Sequence, residues 1–318
     1  MKKIALSFAA LAVTAGSALA ADLPSRKGPA VLPPPPPPPP MWTGFYVGLN
    51  AGGTWANSNQ QTMAVGPIGA DPTWATLAPA IQPQYLAAFS AAASATGVNS
   101  GSNGGFIGGG QIGYNWQFYN NFVVGLEADI QGIAGNSGSR TVANGVTVGA
   151  LGGLRAADGY ASLTTARGSL DYLGTVRGRL GWLFTPTLLV YGTGGLAYGG
   201  VTLNAATVVT TTGVSPWALA QPASFGSVNF SNTQVGWTAG GGLEWMFMPN
   251  WSAKVEYLYY DLGTVTQNFA LVASDPVAPT GNALFGGQVR GRLNGNIVRA
   301  GLNYHFNWGA PAPVVAKY

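Results

Sequence analysis

Apolar and polar side chains alternate with a period of two along eight stretches of this chain, near residues 44–56, 105–118, 121–133, 169–184, 187–200, 233–248, 250–263 and 296–308. That period is the signature of a strand with one apolar and one polar face. In the third stretch Phe122, Val124, Leu126, Ala128 and Ile130 oppose Val123, Gly125, Glu127, Asp129 and Gln131. In the fourth, Leu170, Tyr172, Val176, Leu180, Trp182 and Phe184 oppose Asp171, Thr175, Arg177 and Arg179. The sixth sets Val235, Trp237, Ala239, Leu243, Trp245 and Phe247 against Gln234, Thr238 and Glu244. Trp251, Ala253, Val255, Tyr257 and Tyr259 oppose Lys254 and Glu256 in the seventh, and Val298, Ala300, Leu302, Tyr304 and Phe306 oppose Arg299, Asn303 and His305 in the eighth.

The connections alternate between long and short. Three are tight, centred on Tyr119-Asn120-Asn121, Thr185-Pro186-Thr187 and Met248-Pro249-Asn250. Eight strands joined in this way predict an all-β fold, an eight-stranded antiparallel up-and-down transmembrane barrel with short periplasmic turns and long extracellular loops. Alternation alone does not separate such a barrel from a soluble sandwich, because both have one apolar face. The aromatics favour the barrel. Trp116, Phe118, Phe122, Trp182, Phe184, Trp245, Phe247, Trp251 and Phe306 gather beside the tight turns, as in an interfacial girdle. Glycine-rich strand segments such as Gly108-Gly109-Gly110 and Gly240-Gly241-Gly242 suit tight curvature; neither opens a helix or precedes a phosphate-binding lysine.

Composition points the same way. Only 8% of the residues are charged, against about 25% in soluble domains. Cysteine is absent, which excludes disulfides and thiolate metal sites. Residues 1–20 read as a signal peptide, with Lys2 and Lys3, an apolar run from Ile4 to Val13, and a cleavage site at Ala20. That run is shorter than the roughly 20 residues a spanning helix needs. Residues 21–41 form a periplasmic linker whose Pro33–Pro40 run is an extended polyproline spacer. The barrel is expected over 42–308 and a tail over 309–318. The expected location is the outer membrane.

The Ala20-Ala21-Asp22-Leu23-Pro24 opening, the proline-rich lead, the Trp42-Thr43-Gly44-Phe45-Tyr46-Val47-Gly48 first strand and the Val298-Arg299-Ala300-Gly301-Leu302-Asn303-Tyr304-His305-Phe306 ending resemble the Omp25/Omp31-type (RopB-like) outer-membrane proteins of alphaproteobacteria. The resemblance covers essentially the mature chain. It implies an OmpA-like eight-stranded barrel supporting envelope integrity, often placed among porins. It also implies recognition of a terminal aromatic by the barrel-assembly machinery, here Phe306 with Tyr304 or, since the chain runs on past Trp308, Tyr318. A long, alanine-rich first loop departs from the family pattern.

The polar faces carry the candidate chemistry. Glu127, Asp129, Asp171, Glu244 and Glu256 with Arg177, Arg179, Lys254 and Arg299 map to the lumen. An eight-stranded barrel is only wide enough for side chains to fill it, so a plug of paired charges is expected. The alternative for the same residues is an ion pathway. His305, the one histidine, is expected to fill the lumen near the periplasmic rim. Arg140, Arg155, Arg167, Arg290 and Arg292 in the long connections are candidates for contacts to lipopolysaccharide phosphates. No catalytic group, metal site, cofactor or nucleic-acid partner is indicated. Outer-membrane lipid is the expected surroundings and a monomer the expected state. The sequence thus favours a structural barrel, with a narrow non-specific pore and a surface adhesin or receptor acting through its loops as alternatives.

Overall fold

The computed structural model describes residues 42–57, 60–70, 82–99, 104–119, 121–135, 138–147, 159–213, 222–274 and 282–306. The signal sequence, the proline lead, Asn120, Arg155 and the tail lie outside them. Among the described residues, eleven antiparallel strands and one helix follow in chain order: β1 (Gly44–Ala56), β2 (Gln60–Ala70), α1 (Gln82–Ala93), β3 (Ala95–Asn99), β4 (Gly105–Phe118), β5 (Phe122–Ala134), β6 (Gly138–Thr147), β7 (Gly159–Thr185), β8 (Leu188–Thr212), β9 (Ser224–Met248), β10 (Trp251–Ser274) and β11 (Asn282–Phe306).

Eight of these close a ring in the order β1-β4-β5-β7-β8-β9-β10-β11, with β11 returning to β1 from Phe45↔Phe306 to Ala56↔Gly295. The other three strands continue ring strands beyond one level. β1 pairs with β11 up to Gly295, and β2 takes over from Gln61↔Gly291. β5 pairs with β7 up to Gly132↔Tyr172, and β6 takes over from Gly138↔Gly168. β3, which pairs with β2, precedes β4 in the same direction. The ring is therefore one barrel whose walls extend well beyond the expected strands, interrupted at a common height.

At that height the chemistry of the alternation inverts. Towards the tight turns the outer wall is apolar: Leu49, Ile112, Leu126, Ile130, Leu180, Leu243, Val255 and Leu302 are all exposed. Two levels of exposed rings bound this band, one with Phe45, Trp116, Trp245 and Trp251 and the other with Trp55, Phe106, Trp237 and Tyr257. Phe45 and Trp55, like Phe106 and Trp116, are ten residues apart on one strand. Ten residues span about 34 Å along a strand, or roughly 26 Å of height at the usual tilt, which matches the apolar band of an outer-membrane barrel. Beyond the second level the outer face turns polar, with Arg167, Asn229, Ser231, Thr266, Asn268 and Gln288 exposed. The inner face there is apolar: Met63, Val65, Leu203, Ala205, Val228, Leu271, Phe285 and Val289 pack around Tyr85, Ala88, Phe89 and Ala92 of α1.

Two register shifts sit at this transition. On β7 the ladder passes from Leu170↔Val201 to Tyr172↔Gly200, leaving Asp171 unpaired with β8. On β10 a shift falls between Asp261 and Thr264. Gly263 adopts φ +81 there, a conformation costly for any residue with a Cβ. Its N–H donates to Asp261 Oδ1 at 2.9 Å. Each bulge changes which parity faces inward. This corrects two sequence expectations: Leu170 points into the barrel and Asp171 is exposed.

Candidate functional site

Strand register delivers the charged residues to the lumen in opposed pairs. Glu127 on β5 faces Arg177 on β7, Lys254 on β10 faces Glu244 on β9, and Glu256 on β10 faces Arg299 on β11. Long side chains then cross the lumen and tie opposite walls together. Glu127 Oε1 accepts from Lys254 Nζ at 2.9 Å and from Arg177 Nη2. Arg177 Nη1 donates to Glu256 Oε1 at 2.8 Å and Arg179 Nη2 to Glu244 Oε2 at 2.5 Å. Arg299 Nη2 bridges Glu256 Oε2 at 2.6 Å and Asp129 Oδ2 at 2.8 Å. All eight side chains are at most 2% exposed. Four carboxylates and four cations make the cluster formally neutral, which offsets the several kcal/mol that each buried ion costs in desolvation.

Neutral groups complete it. Tyr46 donates to Glu127 Oε2 at 2.6 Å, Thr175 to Asp129 Oδ2 at 2.9 Å and Tyr191 to Glu256 Oε1 at 3.2 Å. The Arg179 guanidinium also lies 4.0 Å from the Tyr191 ring centroid. Asn303 donates to Glu244 Oε1 at 2.7 Å. Sequence reasoning had not singled out Tyr46, Thr175, Tyr191, Ser252 or Asn303 as members of one site. Parity alone would have turned Tyr46 inward, between outward Phe45 and Val47. Its ring lies across Gly113, where an added Cβ would come within 2.4 Å of it. That glycine makes room for the cluster's phenol.

Apolar layers lie on both sides of the charges. At the turn end Trp42, Val123, Leu183, Leu189, Tyr191 and Met246 form one buried group. Trp42 is 1% exposed. Its indole N–H donates to the Pro186 carbonyl at 3.0 Å, across the mouth from the residues leading into β1 to the β7–β8 turn. On the far side Ile107, Leu173, Ala197, Val201, Leu258, Tyr260 and Ile297 form a second group, above which lies the α1 core.

His305 takes its expected place at the turn-end rim, edge-on to Trp42 at 5.7 Å. Ser252 Oγ lies 2.8 Å from His305 Nε2, and Glu244 Oε1 lies 3.5 Å from that same nitrogen. Both partners meet one ring nitrogen, whereas a hydrolytic triad places acid and nucleophile on opposite nitrogens. Ser252 instead donates to Glu244 at 2.5 Å. The arrangement is a packed polar rim, without the wiring for nucleophilic catalysis.

Of the expected lumen set, eight members converge and Asp171 does not. Asp171 accepts hydrogen bonds from Ser169 at 3.1 Å and Thr202 at 3.4 Å on the outer surface. The loop arginines do not gather into one patch. Arg140 stands opposite Ala166, whose side chain is buried in the core, so it shares the inner face, while Arg167 takes the outer one. Arg290 and Arg292 share the outer face of β11. Arg292 donates to Asp261 Oδ2 at 2.6 Å, which pushes its pKa further above the ordinary arginine value. Tyr304 and Phe306 pack edge to face at 5.1 Å beside Trp251.

The model of the outer membrane protein β-barrel domain matches residues 6–306. The 31 kDa outer-membrane immunogenic protein of Brucella melitensis is 37% identical over 201 residues, covering 63% of this chain and 66% of that protein. The chain thus spans just under two thirds of the length of that relative. The 25 kDa outer-membrane immunogenic protein of Brucella abortus is 24% identical over 306 residues, covering 96% of this chain and 99% of that protein. The 22 kDa outer membrane protein of Rhizobium leguminosarum bv. viciae is 30% identical over 155 residues, 48% of this chain and 52% of the other. Among solved structures, OprG from Pseudomonas aeruginosa is 12% identical, the match covering 83% of this chain and 97% of that one with a TM-score of 0.32. Fold, wall chemistry and family match agree: the chain belongs to the outer membrane β-barrel domain family of Gram-negative bacteria, and its place is the outer membrane.

Proposed function

We propose that this protein is a structural, envelope-stabilising barrel with a closed lumen. The observation that carries this reading is the stack of layers across the bore. Trp42 and its apolar neighbours come first, then eight cross-linked charges, then the Leu173–Leu258–Ile297 layer, then the core around α1. A solute would have to part ion pairs that tie β5 and β7 to β10 and β11, each broken pair leaving a buried charge. The alternative, a narrow pore through the same residues, predicts the opposite electrical behaviour. Purified protein in a planar bilayer is expected to give no steady current. Large, stable single-channel steps from pure protein would overturn the closed-barrel reading.

The extended loop end belongs outside the cell in this reading. Relatives named as immunogenic outer-membrane proteins are consistent with a surface-exposed tier. Just beyond the second aromatic level, exposed Arg290 and Arg292 stand at the height of lipopolysaccharide phosphates, with Arg167 at a similar level. Exchange of Arg167 and Arg290 for alanine is expected to lower lipopolysaccharide co-purification; unchanged recovery would remove this contact from the account.

A further inference from the structure

Two sets of buried polar atoms along β4 have no hydrogen-bond partner among the described residues. Nearer the tight turns these are Asn115 Oδ1 and Nδ2 with Arg179 Nε. Nearer the loop end they are Asn50 Oδ1, Gln131 Oε1 and Arg299 Nη1. All five residues are at most 5% exposed. A buried donor or acceptor left unpaired carries its full desolvation penalty, so folded proteins satisfy nearly all of them. Arg177, between the two sets, is the contrast. Its Nε donates to Thr175 at 2.9 Å, Nη1 to Glu256 at 2.8 Å, and Nη2 to Asp129 at 2.8 Å and to Glu127.

Strand register gathers each set. Asn115 and Arg179 flank Gly125 in one lateral row. Asn115 Oδ1 lies over that glycine, 2.4 Å from where a Cβ would stand, on the way to Arg179. Asn50 and Gln131 flank Gly109 in the same manner. Arg299 Nη2 and Gln131 Nε2 both donate to the Asp129 carboxylate at 2.8 Å. Arg299 Nη1 and Gln131 Oε1 are each joined through one carbon to those nitrogens, so they are near neighbours. Asn50 Nδ2 donates at 3.0 Å to Gln111, which pairs with Asp129. Gly109 also leaves room there. Gly48 lies under Asn303 and Gly113 under Tyr46, but the three atoms nearest a Cβ on Gly109 are backbone atoms of Ile130 and Gln131.

We propose that the closed lumen traps water at these two places, one between Asn115 and Arg179 and one among Asn50, Gln131 and Arg299. The chemistry calls for a small neutral ligand that both donates and accepts. The loop-end set offers two acceptors and one donor, the turn-end set two donors and one acceptor. A buried water makes about three such bonds. An ion is not called for, because the four carboxylates and four cations of the cluster already balance. The Trp42 layer on one side and the Leu173–Leu258–Ile297 layer on the other hold the water in.

This inference rests on the closed lumen, and one experiment separates the two. Water-to-protein dipolar cross-peaks are recorded by NMR on the 15N-labelled full chain in detergent micelles. They are expected at Arg179 Nε–H and Arg299 Nη1–H and absent at Arg177 Nε–H. Gln131→Met, which removes one acceptor, is expected to weaken the Arg299 cross-peak at least fivefold and leave that of Arg179 unchanged, with the heat-dependent gel shift of a folded barrel retained. Cross-peaks at none of the three arginines would show a dry plug and overturn the proposal alone. Cross-peaks at all three would show an open, wet bore and overturn the closed lumen with it. An undiminished Arg299 signal in folded Gln131→Met would overturn the loop-end site.

Discussion

The membrane-embedded tier and the tier beyond it are built from the same strands with opposite chemistry. On β8 the inward series runs Leu189, Tyr191, Thr193, Ala197, then Val201, Leu203, Ala205, Val209, without a change of phase. Outward, Val190 and Leu196 give way to Thr202 and Asn204. On β11 the inward residues His305, Asn303 and Arg299 are followed upward by Val289, Phe285 and Ala283, while outward Leu302 and Val298 are followed by Arg292, Arg290 and Gln288. The backbone does not decide which face is oily; the surrounding solvent does. Where hydrocarbon surrounds the wall, apolar side chains lose nothing by facing out, and the confined polar groups pair inside. Where water surrounds it, the ordinary hydrophobic effect returns and drives Phe89, Phe285 and Leu203 inward.

The contrast predicts different costs for equivalent changes. The largest belongs to the charge cluster. Glu127→Ala removes the shared partner of Arg177, Arg179 and Lys254, and is expected to cost about 3–5 kcal/mol, the penalty for stranding buried charge. Denaturant unfolding of the detergent-solubilised barrel measures it, and a loss below about 1 kcal/mol would show that the cluster is solvated. Phe89→Ala at the other tier deletes the ring stacked on Phe285 at 4.1 Å, and is expected to cost about 3 kcal/mol. Its effect should be local: faster amide exchange in β2 and the far half of β7, with the wall below Asp171 unchanged.

A paired substitution sharpens the comparison further. Ala300→Arg places a cation midway between the aromatic levels and is expected to cost about 2–4 kcal/mol, whereas Gln288→Arg, twelve positions higher on the same face, should stay within about 0.5 kcal/mol. Equal costs would break the two-solvent picture. Asn144→Ala, which removes the side-chain bonds to the end of α1, is expected to cost about 1 kcal/mol, seen as loosened exchange at α1 alone.

Much of the lower tier was legible in the sequence because its period-2 pattern is regular and its tight turns are short. β1 and β4 match their expected limits, Gly44–Ala56 and Gly105–Phe118, and the eight convergent charges follow from parity. Asp171 and Leu170 were misplaced because a bulge adds one residue without any mark in the alternation. The loop end reads mainly as connections, only some of them continuing the strands beyond the bilayer, because its pattern has the opposite polarity and its residues are mostly Thr, Ala, Asn and Val. β11 carries the inversion in its sequence: Gln288, Arg290 and Arg292 alternate with Phe285, Val289 and Gly291 as regularly as the wall residues do. The second aromatic level is also present in Trp55, Phe106 and Trp237, but each stands apart from the other rings of its strand, far from any tight turn. The cross-lumen pairs, such as Arg177 with Glu256, depend on the closure of the ring and have no local signal at all.

The most direct test of the inversion uses single cysteines along the outward face of β11, at Leu302, Ala300, Val298, Arg292, Arg290 and Gln288, each carrying a nitroxide in a reconstituted bilayer. The account predicts oxygen-accessible, lipid-facing signals at the first three positions and signals accessible to a water-soluble nickel reagent at the last three. Lipid-type accessibility continuing to Gln288, or water-type accessibility already at Ala300, would contradict it.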